Sequence, residues 1–514
     1  MKRNYFVFCL MALLGSLNMQ AYDFEVGGIF YTVTDTASAS AKVAVAANTE
    51  QLYEGTVAIP ATVTSEGKTY SVTAIGEKAF YYCKALTGVT IPESVTEIGP
   101  NAFRNCIGLT TLALPAGVTT IGYSAFFGCS GLTSFTIPAG VTAIEPYTFF
   151  GCKRIPSFNL GNISKIGGSA FAGCAALTSV NIPANLGQIE SYTFQGCTGL
   201  STVTIPAGIA NIGDEAFQGC TGLTSVNIPE GVVQIGRAAF QGCTGLAAIT
   251  IPSTVKALVS TSFGGCTKLT SLAVAAGNPV YDSRGNCNAI IETYEEKKQG
   301  STVTHYKLVS GCKTTVIPDG VTEIGTNAFL NCTGLTAIVI PESVTSLGVA
   351  AFMNSGLTAI NIPASIKQID DNCFAGCTDL ASVTLPATTE KIGGQAFYDC
   401  PALKDFYCYA EKVPTTLVGV FEATPVENAT LYVPEAAVGA YTMAEPWNSF
   451  GTIAAASANL VAPDKDSETA IASLQGAGKV QQVYTLGGQQ TAKLQRGINV
   501  VRMSDGTTRK VLVK

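Results

Sequence analysis

The sequence predicts a repeat solenoid, in which short parallel strands stack coil upon coil along one axis. Three observations predict it. Phenylalanines recur every 22 or 23 residues from Phe80 to Phe263, and the series resumes from Phe329 to Phe397. A cysteine stands three residues after twelve of these thirteen phenylalanines, with Ser355 in the remaining place. An Ile-Pro or Leu-Pro pair lies eleven residues before most of them, so that one short unit is repeated in phase.

The unit that begins at Leu223 shows how such a coil forms. Leu223, Val226 and Ile228 fit a short strand whose apolar side chains point inward, and Pro229 ends it because proline has no N–H to donate. Gly236 permits a corner further round the coil. One unit cannot bury its own apolar side, but stacked neighbours form a continuous core. A period of about 20–29 residues with this pattern is typical of a leucine-rich-repeat solenoid.

The N-terminus has the pattern of a secretory signal peptide over residues 1–21. Basic residues open the chain, an apolar run extends from Tyr5 to Leu14, and small residues follow up to Ala21. The apolar run is far shorter than the roughly 20 residues that a membrane-spanning helix needs. We therefore expect cleavage after Ala21, export, and no transmembrane segment in the mature chain.

Residues 22–70 are expected to form a β-rich cap on residues 71–452, the solenoid. Apolar and polar positions alternate there, which is typical of strands with one buried face. Without a cap, the first coil would expose its core and an unpaired strand edge. The alternating apolar residues include Phe24, Val26, Ile29, Tyr31 and Val33.

The solenoid contains a lengthened repeat at residues 267–317. The interval from Phe263 to Phe329 is 66 residues, three times 22, so the insertion keeps the phase. Its segment 292–300 has the composition of an exposed hairpin tip. Insertions in solenoids project from one face and often carry function. We therefore expect a partner to contact the insertion, with these candidate binding residues: Tyr281, Arg284, Glu295, Lys297 and His305.

Beyond the repeats, the sequence predicts a C-terminal cap at 410–452, a linker at 453–467 and a small β segment at 468–514. The aromatic residues of the cap either cover the last coil or contribute to binding. The linker is rich in Ala, Ser, Pro and Asp. In the last segment, Asp505-Gly506 lies between two alternating apolar runs, which is a strong hairpin signal.

Composition argues against several classes of function. There are 30 Lys plus Arg and 36 Asp plus Glu, so the net charge is 30 − 36 = −6, which disfavours nucleic acid as a partner. His305 is the single histidine, although most acid–base and zinc sites depend on histidine. We expect no catalytic residues, no metal and no cofactor; a hydrolase that uses His305 is a distant alternative.

The regularly spaced cysteines that follow the repeated phenylalanines could in principle form disulfides, but their geometry in stacked coils disfavours it. Sixteen of the 17 cysteines remain after removal of residues 1–21. Equivalent Cβ atoms of stacked coils lie roughly 4.8 Å apart and point the same way, whereas a disulfide needs about 3.5–4.5 Å. We expect buried free thiols that pack as small apolar groups. The pair Cys287 and Cys312 remains open as a disulfide.

The motif IP-x-x-V-x-x-I-G-x-x-A-F-x-x-C, as in Ile205–Cys220, resembles the BspA-like leucine-rich-repeat family of bacterial surface proteins of the Bacteroidetes type. The resemblance covers about residues 72–409, and segments at 53–75 and 431–450 are similar to the family's flanks. The run 484–514 resembles the C-terminal sorting domains of the type IX secretion route. The resemblance implies an exported, non-enzymatic cell-surface protein that mediates binding or adhesion.

Two hypotheses about function follow. The first is a monomeric binding protein for an unknown protein or glycan on host or neighbouring cells. The second is a structural scaffold or coat solenoid without a dedicated ligand. The outward strand residues, such as Thr224, Ser225 and Asn227, are small and hydroxylic, and they lack the aromatic and Arg anchors of binding hot spots. An aromatic or charged patch on one solenoid face would favour binding over a scaffold.

Overall fold

A computed structural model describes residues 22–36, 41–47, 52–298 and 300–456, and the backbone of residues 480–485, 490–491, 497–503 and 508–513. The proposed signal peptide and most of the linker, from residue 457, lie outside the described residues. Contacts divide the chain into two units, one that ends at Ala454 and one that begins at Ala455.

The first unit is the predicted solenoid, so the fold class is confirmed. Parallel strands stack on two sides of the solenoid, although several coils have a strand on the second side only, and the third side is a turn that carries the repeated phenylalanine. The first side contains the strands Leu86–Thr90, Ser179–Asn181, Thr202–Thr204, Ala248–Ile251, Ser271–Val274, Ala359–Asn361, Ser382–Leu385, Asp405–Cys408, Thr430–Val433 and Thr452–Ala455. The second side contains Glu97–Ile98, Thr120–Ile121, Ala143–Ile144, Lys165–Ile166, Gln188–Ile189, Asn211–Ile212, Gln234–Ile235, Ala257–Leu258, Glu323–Ile324, Ser346–Leu347, Gln368–Ile369, Lys391–Ile392 and Thr415–Thr416.

Each coil closes as its apolar pattern predicts. Leu223, Val226 and Ile228 are buried, and the amide of Val232 donates to the carbonyl of Pro229 at 3.4 Å to turn the chain. The corner glycine is required by close approach: a Cβ on Gly236 would lie 2.7 Å from the backbone nitrogen of Asp214 in the preceding coil. Stacking therefore fixes glycine at this corner.

The third side, which we call the turn face, is organised by a column of phenylalanine rings. From Phe80 to Phe263, successive rings stack with centroids 5.0–5.8 Å apart and interplanar angles of 4–13°. Offset stacking of this kind adds to the stabilisation that burial provides. A second column runs from Phe329 to Phe421.

The cysteines next to this column are free thiols, including Cys287 and Cys312. Besides packing, most of the cysteines that follow a column phenylalanine form a ladder that the sequence did not reveal, because their thiols donate to the carbonyl of the phenylalanine one coil back. For example, Cys243 Sγ lies 3.2 Å from the oxygen of Phe217. Burial raises the pKa of these thiols, to about 12 for Cys129 and Cys220.

The N-terminal cap is β-rich, as predicted, and closes the first phenylalanine column. The ring of Tyr53 packs on Phe80 with centroids 5.0 Å apart, and the Tyr53 hydroxyl accepts a hydrogen bond from the amide of Phe30. The cap strands are Phe24–Val26, Ile29–Asp35, Ala41–Val45, Gly55–Ala58, Thr62–Ser65 and Lys68–Ile75.

The insertion divides the core into two hydrophobic clusters. At the division, the place of a phenylalanine ring is taken by backbone: a Cβ on Gly311 would lie 2.1 Å from the ring of Phe329. The amide of Gly311 also donates to the carbonyl of Ala328 at 2.9 Å. The second column therefore begins against a glycine.

The C-terminal cap closes the other end with aromatic residues. Trp447 and Tyr441 are fully buried, and the indole packs edge-on against Phe406 and Phe421. This region contains the helix Val438–Met443 and the 3-10 turns Val426–Asn428, Glu435–Ala437 and Trp447–Ser449; two further 3-10 turns span Ser260–Phe263 and Arg284–Asn286.

The second unit contains an antiparallel sheet, described by its backbone. Its strands are Val480–Thr485, Gln490–Thr491, Gly497–Met503 and Thr508–Val513. The last two pair with Arg502 opposite Thr508. The predicted Asp505-Gly506 turn lies outside the described residues.

Candidate functional site

The insertion forms a long hairpin anchored in the solenoid at its base. The strands Ala289–Lys298 and Ser301–Gly311 pair antiparallel, and Lys307 and Leu308 continue the second-side ladder by pairing with Glu323 and Ile324. The first strand pairs with Tyr281–Asp282 at Ile291 and Glu292. Thr293 and Tyr306 also bond outward, to the carbonyl of Val280 and from the amide of Thr322. Nearer the tip, in the part of the chain that the structure describes, the outer edges of the hairpin have no backbone partner. The sequence thus builds a two-stranded ribbon that projects from the core.

The ribbon has two faces because side chains alternate along a strand and opposed residues share a side. The pairs Thr293–Tyr306, Glu295–Thr304 and Lys297–Thr302 define one face, which we call the arginine face because Arg284 packs on it. The pairs Tyr294–His305 and Glu296–Val303 define the opposite side, the histidine face. The predicted binding residues are therefore distributed over both faces.

On the arginine face, Arg284 is held by three contacts. Its guanidinium lies 4.0 Å from the ring centroid of Tyr306, its Nε donates to Asp282 Oδ1 at 2.8 Å, and its Nη2 lies 3.3 Å from Thr293 Oγ1. Burial alone would raise the pKa of Asp282, but the hydrogen bonds from Arg284 outweigh it and lower that pKa. Arg284 thus presents a fixed, partly exposed cation.

On the histidine face, His305 lies between two carboxylates. Its Nε2 is 3.3 Å from Glu296 Oε2, its Nδ1 is 3.4 Å from Glu323 Oε1, and its ring stacks on Tyr294 with centroids 4.9 Å apart. The Tyr294 hydroxyl donates to Glu323. Burial and this bond to a carboxylate raise the pKa of Tyr294 to about 12. The cluster fastens the ribbon to the neighbouring coil.

The remaining predicted residues differ in their availability to a partner. Glu295 and Lys297 are exposed near the tip. Tyr281 is only 5% exposed, and its hydroxyl accepts a hydrogen bond from the amide of Leu258 at 3.0 Å. The alternating pattern at this position could not reveal that its ring packs into the core.

The hairpin offers binding chemistry more readily than catalysis. Cys312 lies seven positions after His305, which corresponds to roughly 23 Å along an extended strand, and the Cys312 thiol faces the carbonyl of Asn288. Among the described residues, no group of three or more His, Cys, Asp or Glu side chains is arranged to hold a metal ion. What the ribbon presents is charged, hydroxylic and aromatic side chains on a fixed backbone.

The outward strand face is less available than its composition suggests. At several coils the first hydroxyl donates to the carbonyl one coil back, as Ser201 does to Thr178 at 3.0 Å. The exit aromatics separate into two groups: Trp447 and Tyr441 fill the cap, whereas Tyr407 and Tyr432 stack on each other, half-buried, with centroids 4.6 Å apart.

Sequence reasoning missed one surface, the turn face of the first four coils. It carries six partly exposed aromatic residues that lie beside the buried phenylalanine column. The sequence did contain a signal for this surface. In two coils the phenylalanine of the column is followed directly by a second phenylalanine, and in another coil it is followed by two tyrosines. The six residues are Tyr81, Tyr82, Tyr123, Phe127, Tyr147 and Phe150.

Comparison with protein families matches residues 73–201, 187–284 and 305–422 to the BspA type leucine rich repeat region, in six copies. Among solved structures, a leucine-rich repeat protein from Bacteroides ovatus is 26% identical, with 75% of this chain and 94% of that chain covered and a TM-score of 0.49. A leucine rich cell surface protein from Faecalibacterium prausnitzii is also 26% identical, with coverages of 85% and 95% and a TM-score of 0.46.

A leucine rich repeat protein from T. pallidum is 27% identical, with 42% of this chain and 87% of that chain covered and a TM-score of 0.29. A search of curated proteins gives no significant match. Among the described residues, no helix has the length and apolar character needed to cross a membrane.

Proposed function

The chain belongs to the BspA-type leucine-rich-repeat family, and from this membership we propose that it is an exported, non-enzymatic protein that binds macromolecules of host or neighbouring cells at the cell surface. The observation that carries the proposal is the projecting hairpin. Its unpaired edges and charged tip are dispensable for closing the core, so its residues are free to serve a partner.

The chemistry of the hairpin supports binding by several small contacts. Arg284 and Tyr306 form a rigid cation–aromatic pair, and residues of this kind are frequent anchors of protein interfaces. Glu295 and Lys297 add charges of both signs, which discriminate between partners by attraction and repulsion. The unpaired ribbon edges can accept an extended segment of another chain as an added strand.

The test shortens the ribbon while its base is kept. Replacing residues 296–303 by Asn-Gly joins Glu295 to Thr304, which oppose each other, through a two-residue turn. Labelled mature protein is incubated with cultured epithelial cells and with cells of other bacteria, and bound label is measured. We expect the shortened protein to fold normally and to lose most of its cell binding.

A charge variant sharpens the test. Glu295→Gln with Lys297→Gln should weaken cell binding, whereas Glu342→Gln with Lys256→Gln, on exposed positions of regular coils, should leave it unchanged. Full cell binding by the shortened protein would contradict the hairpin proposal, and absence of any cell binding by the intact protein would favour the scaffold alternative.

Export to the surface is the second part of the proposal. The C-terminal sheet between Val480 and Val513 has the strand content expected of a sorting domain of the type IX route. Deleting residues 468–514 should leave the solenoid intact but prevent its appearance on the cell surface, as detected by antibody on whole cells. Normal surface display of the deleted protein would refute the sorting role.

A further inference from the structure

We propose that the turn face of the first four coils binds an acidic polysaccharide, independently of the hairpin. We call this surface the aromatic–basic patch. It consists of the six aromatic residues named above and four cations: Lys84, Arg104, Lys153 and Arg154. Contiguous exposed apolar surface of this kind marks interaction sites in soluble proteins.

Backbone hydrogen bonds bring these side chains together. The amide of Tyr82 donates to the carbonyl of Arg104 at 2.7 Å, that of Asn105 donates to Phe127 at 2.6 Å, and that of Gly128 donates to Phe150 at 2.6 Å. The residue that follows each column phenylalanine is therefore placed directly above its equivalent in the next coil. The ladder converts positions 23 residues apart in sequence into a continuous row.

The side chains of this row form a stack. The guanidinium of Arg104 lies 4.0 Å from the ring centroid of Phe127, and the rings of Phe127 and Phe150 stack 4.5 Å apart at 6°. Tyr147 packs at 6.2 Å from Phe150. Tyr123 and Tyr147 remain 48% and 46% exposed. The ring of Phe127 is thus covered by its neighbours in the row, whereas the rings and hydroxyl groups of Tyr123 and Tyr147 beside it are open to a ligand.

The repeat itself does not require aromatic residues here. In later coils the positions of Arg104 and Phe127 are occupied by Gln195, Gln218 and Gln241, whose amides join in a ladder with contacts of 2.7 Å. The coils close in the same way in both regions. The partly exposed aromatic rings of the first four coils are therefore not required for the fold.

The charge of the patch is opposite to that of the chain. The whole chain has a net charge of −6, yet no ion pair to Lys84, Arg104, Lys153 or Arg154 exists within the described residues. Two acids of these coils are already matched by cations, Glu77 with Lys78 at 3.1 Å and Glu145 with Lys165 at 3.0 Å. A ligand that supplies negative charge complements this surface.

A polysaccharide fits the combination better than other anions. A sugar ring advances its polymer by about the length of one coil, roughly 4.8 Å, so that a repeating ligand matches a repeating surface. The apolar faces of sugars stack on aromatic rings, and their carboxylates reach cations. Lys84 and Lys153 lie three coils apart, roughly 14 Å, so that one acidic chain of a few sugars can reach cations at both ends of the patch.

The experiment measures binding of the mature chain to polygalacturonate by calorimetry. Dextran supplies sugar rings without charge, poly-L-glutamate supplies charge without sugar rings, and oligo-dT supplies phosphate charge together with flat bases. We expect binding to polygalacturonate that weakens with salt, and binding to the other three at least about tenfold weaker. Equal or tighter binding of poly-L-glutamate would assign the patch to acidic protein segments and overturn the proposal, and equal binding of oligo-dT would overturn it in favour of nucleic acid.

Variants taken from the repeat itself test the location. Tyr147→Ser is compatible with the left-handed backbone there, because Ser124 and Ser169 adopt it at the same position of the adjacent coils. Combined with Arg104→Gln, it should weaken polygalacturonate binding at least about tenfold. Tyr192→Ser, at the equivalent position two coils away, is the matched control and should have no effect.

The shortened hairpin distinguishes this inference from the proposed function, since it should bind polygalacturonate normally even if cell binding is lost. Absence of polygalacturonate binding by the intact chain, or equal binding by the double variant and the control, would overturn the proposal. Circular dichroism and thermal unfolding establish that each variant is folded.

Discussion

The two phenylalanine columns differ in how each begins, and the difference shows what a solenoid needs at an interruption. The first column starts under the ring of Tyr53, and within it rings such as Phe240 are stacked on both sides. The second column starts at Phe329, which stacks on Phe352 on one side and faces the backbone of Gly311 on the other. A solenoid can thus accept an insertion if the first phenylalanine ring after it still packs closely, here against backbone instead of another ring.

The largest expected effect comes from breaking a column in its middle. Phe240→Ala removes a fully buried ring stacked on Phe217 and Phe263, and should cost about 3–5 kcal/mol of local stability. Because each coil contacts only its neighbours, hydrogen exchange measured by mass spectrometry should rise first around residues 215–265. Unchanged protection there, or equal loss beyond residue 329, would contradict this interpretation of the column.

Phe329→Ala sharpens the comparison from the other side of the interruption. Its local cost should also be about 3–5 kcal/mol, but the loss of protection should extend toward Phe352 and Phe374 rather than toward Phe263. Equal spread in both directions would show that the two core clusters behave as one.

A smaller effect is expected when the glycine at the start of the second column is changed. Gly311→Ala places a methyl group against the ring of Phe329 and should cost about 1–3 kcal/mol through overpacking. Gly187→Ala is the control, because a Cβ there meets no atom within 4 Å. Equal thermal stability of the two variants would argue against close packing at Gly311.

The smallest expected difference is in the reactivity of thiols beside the first and the second column. Burial raises the pKa of both Cys220 and Cys332 to about 12, so at pH 8 neither forms the reactive thiolate in the folded chain. Cys332 is less buried than Cys220 and should be labelled first by a thiol reagent. About a dozen or more thiols should react after denaturation without reductant, and disulfides throughout the ladder, found by mass spectrometry, would refute this prediction.

The raised thiol pKa values also predict the direction of pH dependence. A group whose pKa is higher in the folded than in the unfolded chain stabilises the fold fully only below its unfolded pKa, about 8.5 for cysteine. That stabilisation should be lost as pH rises from about 8.5 toward 12. The denaturant concentration at the unfolding midpoint should decrease from pH 7 to pH 9 and again to pH 10. A constant midpoint would contradict thiol burial.

Particular residues show where sequence reasoning succeeded and where it stopped. The spacing of Phe240, Cys243 and Gly236 predicted the coil because only one placement of a 23-residue unit buries all its apolar members. It did not reveal the thiol-to-carbonyl ladder or the close approach behind Gly236, because both depend on atoms one coil away. The insertion contains a hairpin, but residues 292–298 of the expected tip lie in its first strand; Tyr281 packs inward and Arg284 is partly exposed.

The sequence by itself determined the repeat, the solenoid and the location of its interruption, because the apolar pattern is a local property and recurs in every coil. Only the tertiary structure decided that Arg104, Phe127 and Phe150 form one stack, that Gly311 starts the second column, and that His305 lies between two carboxylates. The physical reason is that these contacts join residues of neighbouring coils or of facing hairpin strands, which are distant in sequence. Their geometry is set by the stacking of neighbouring coils, which no single unit of the sequence contains.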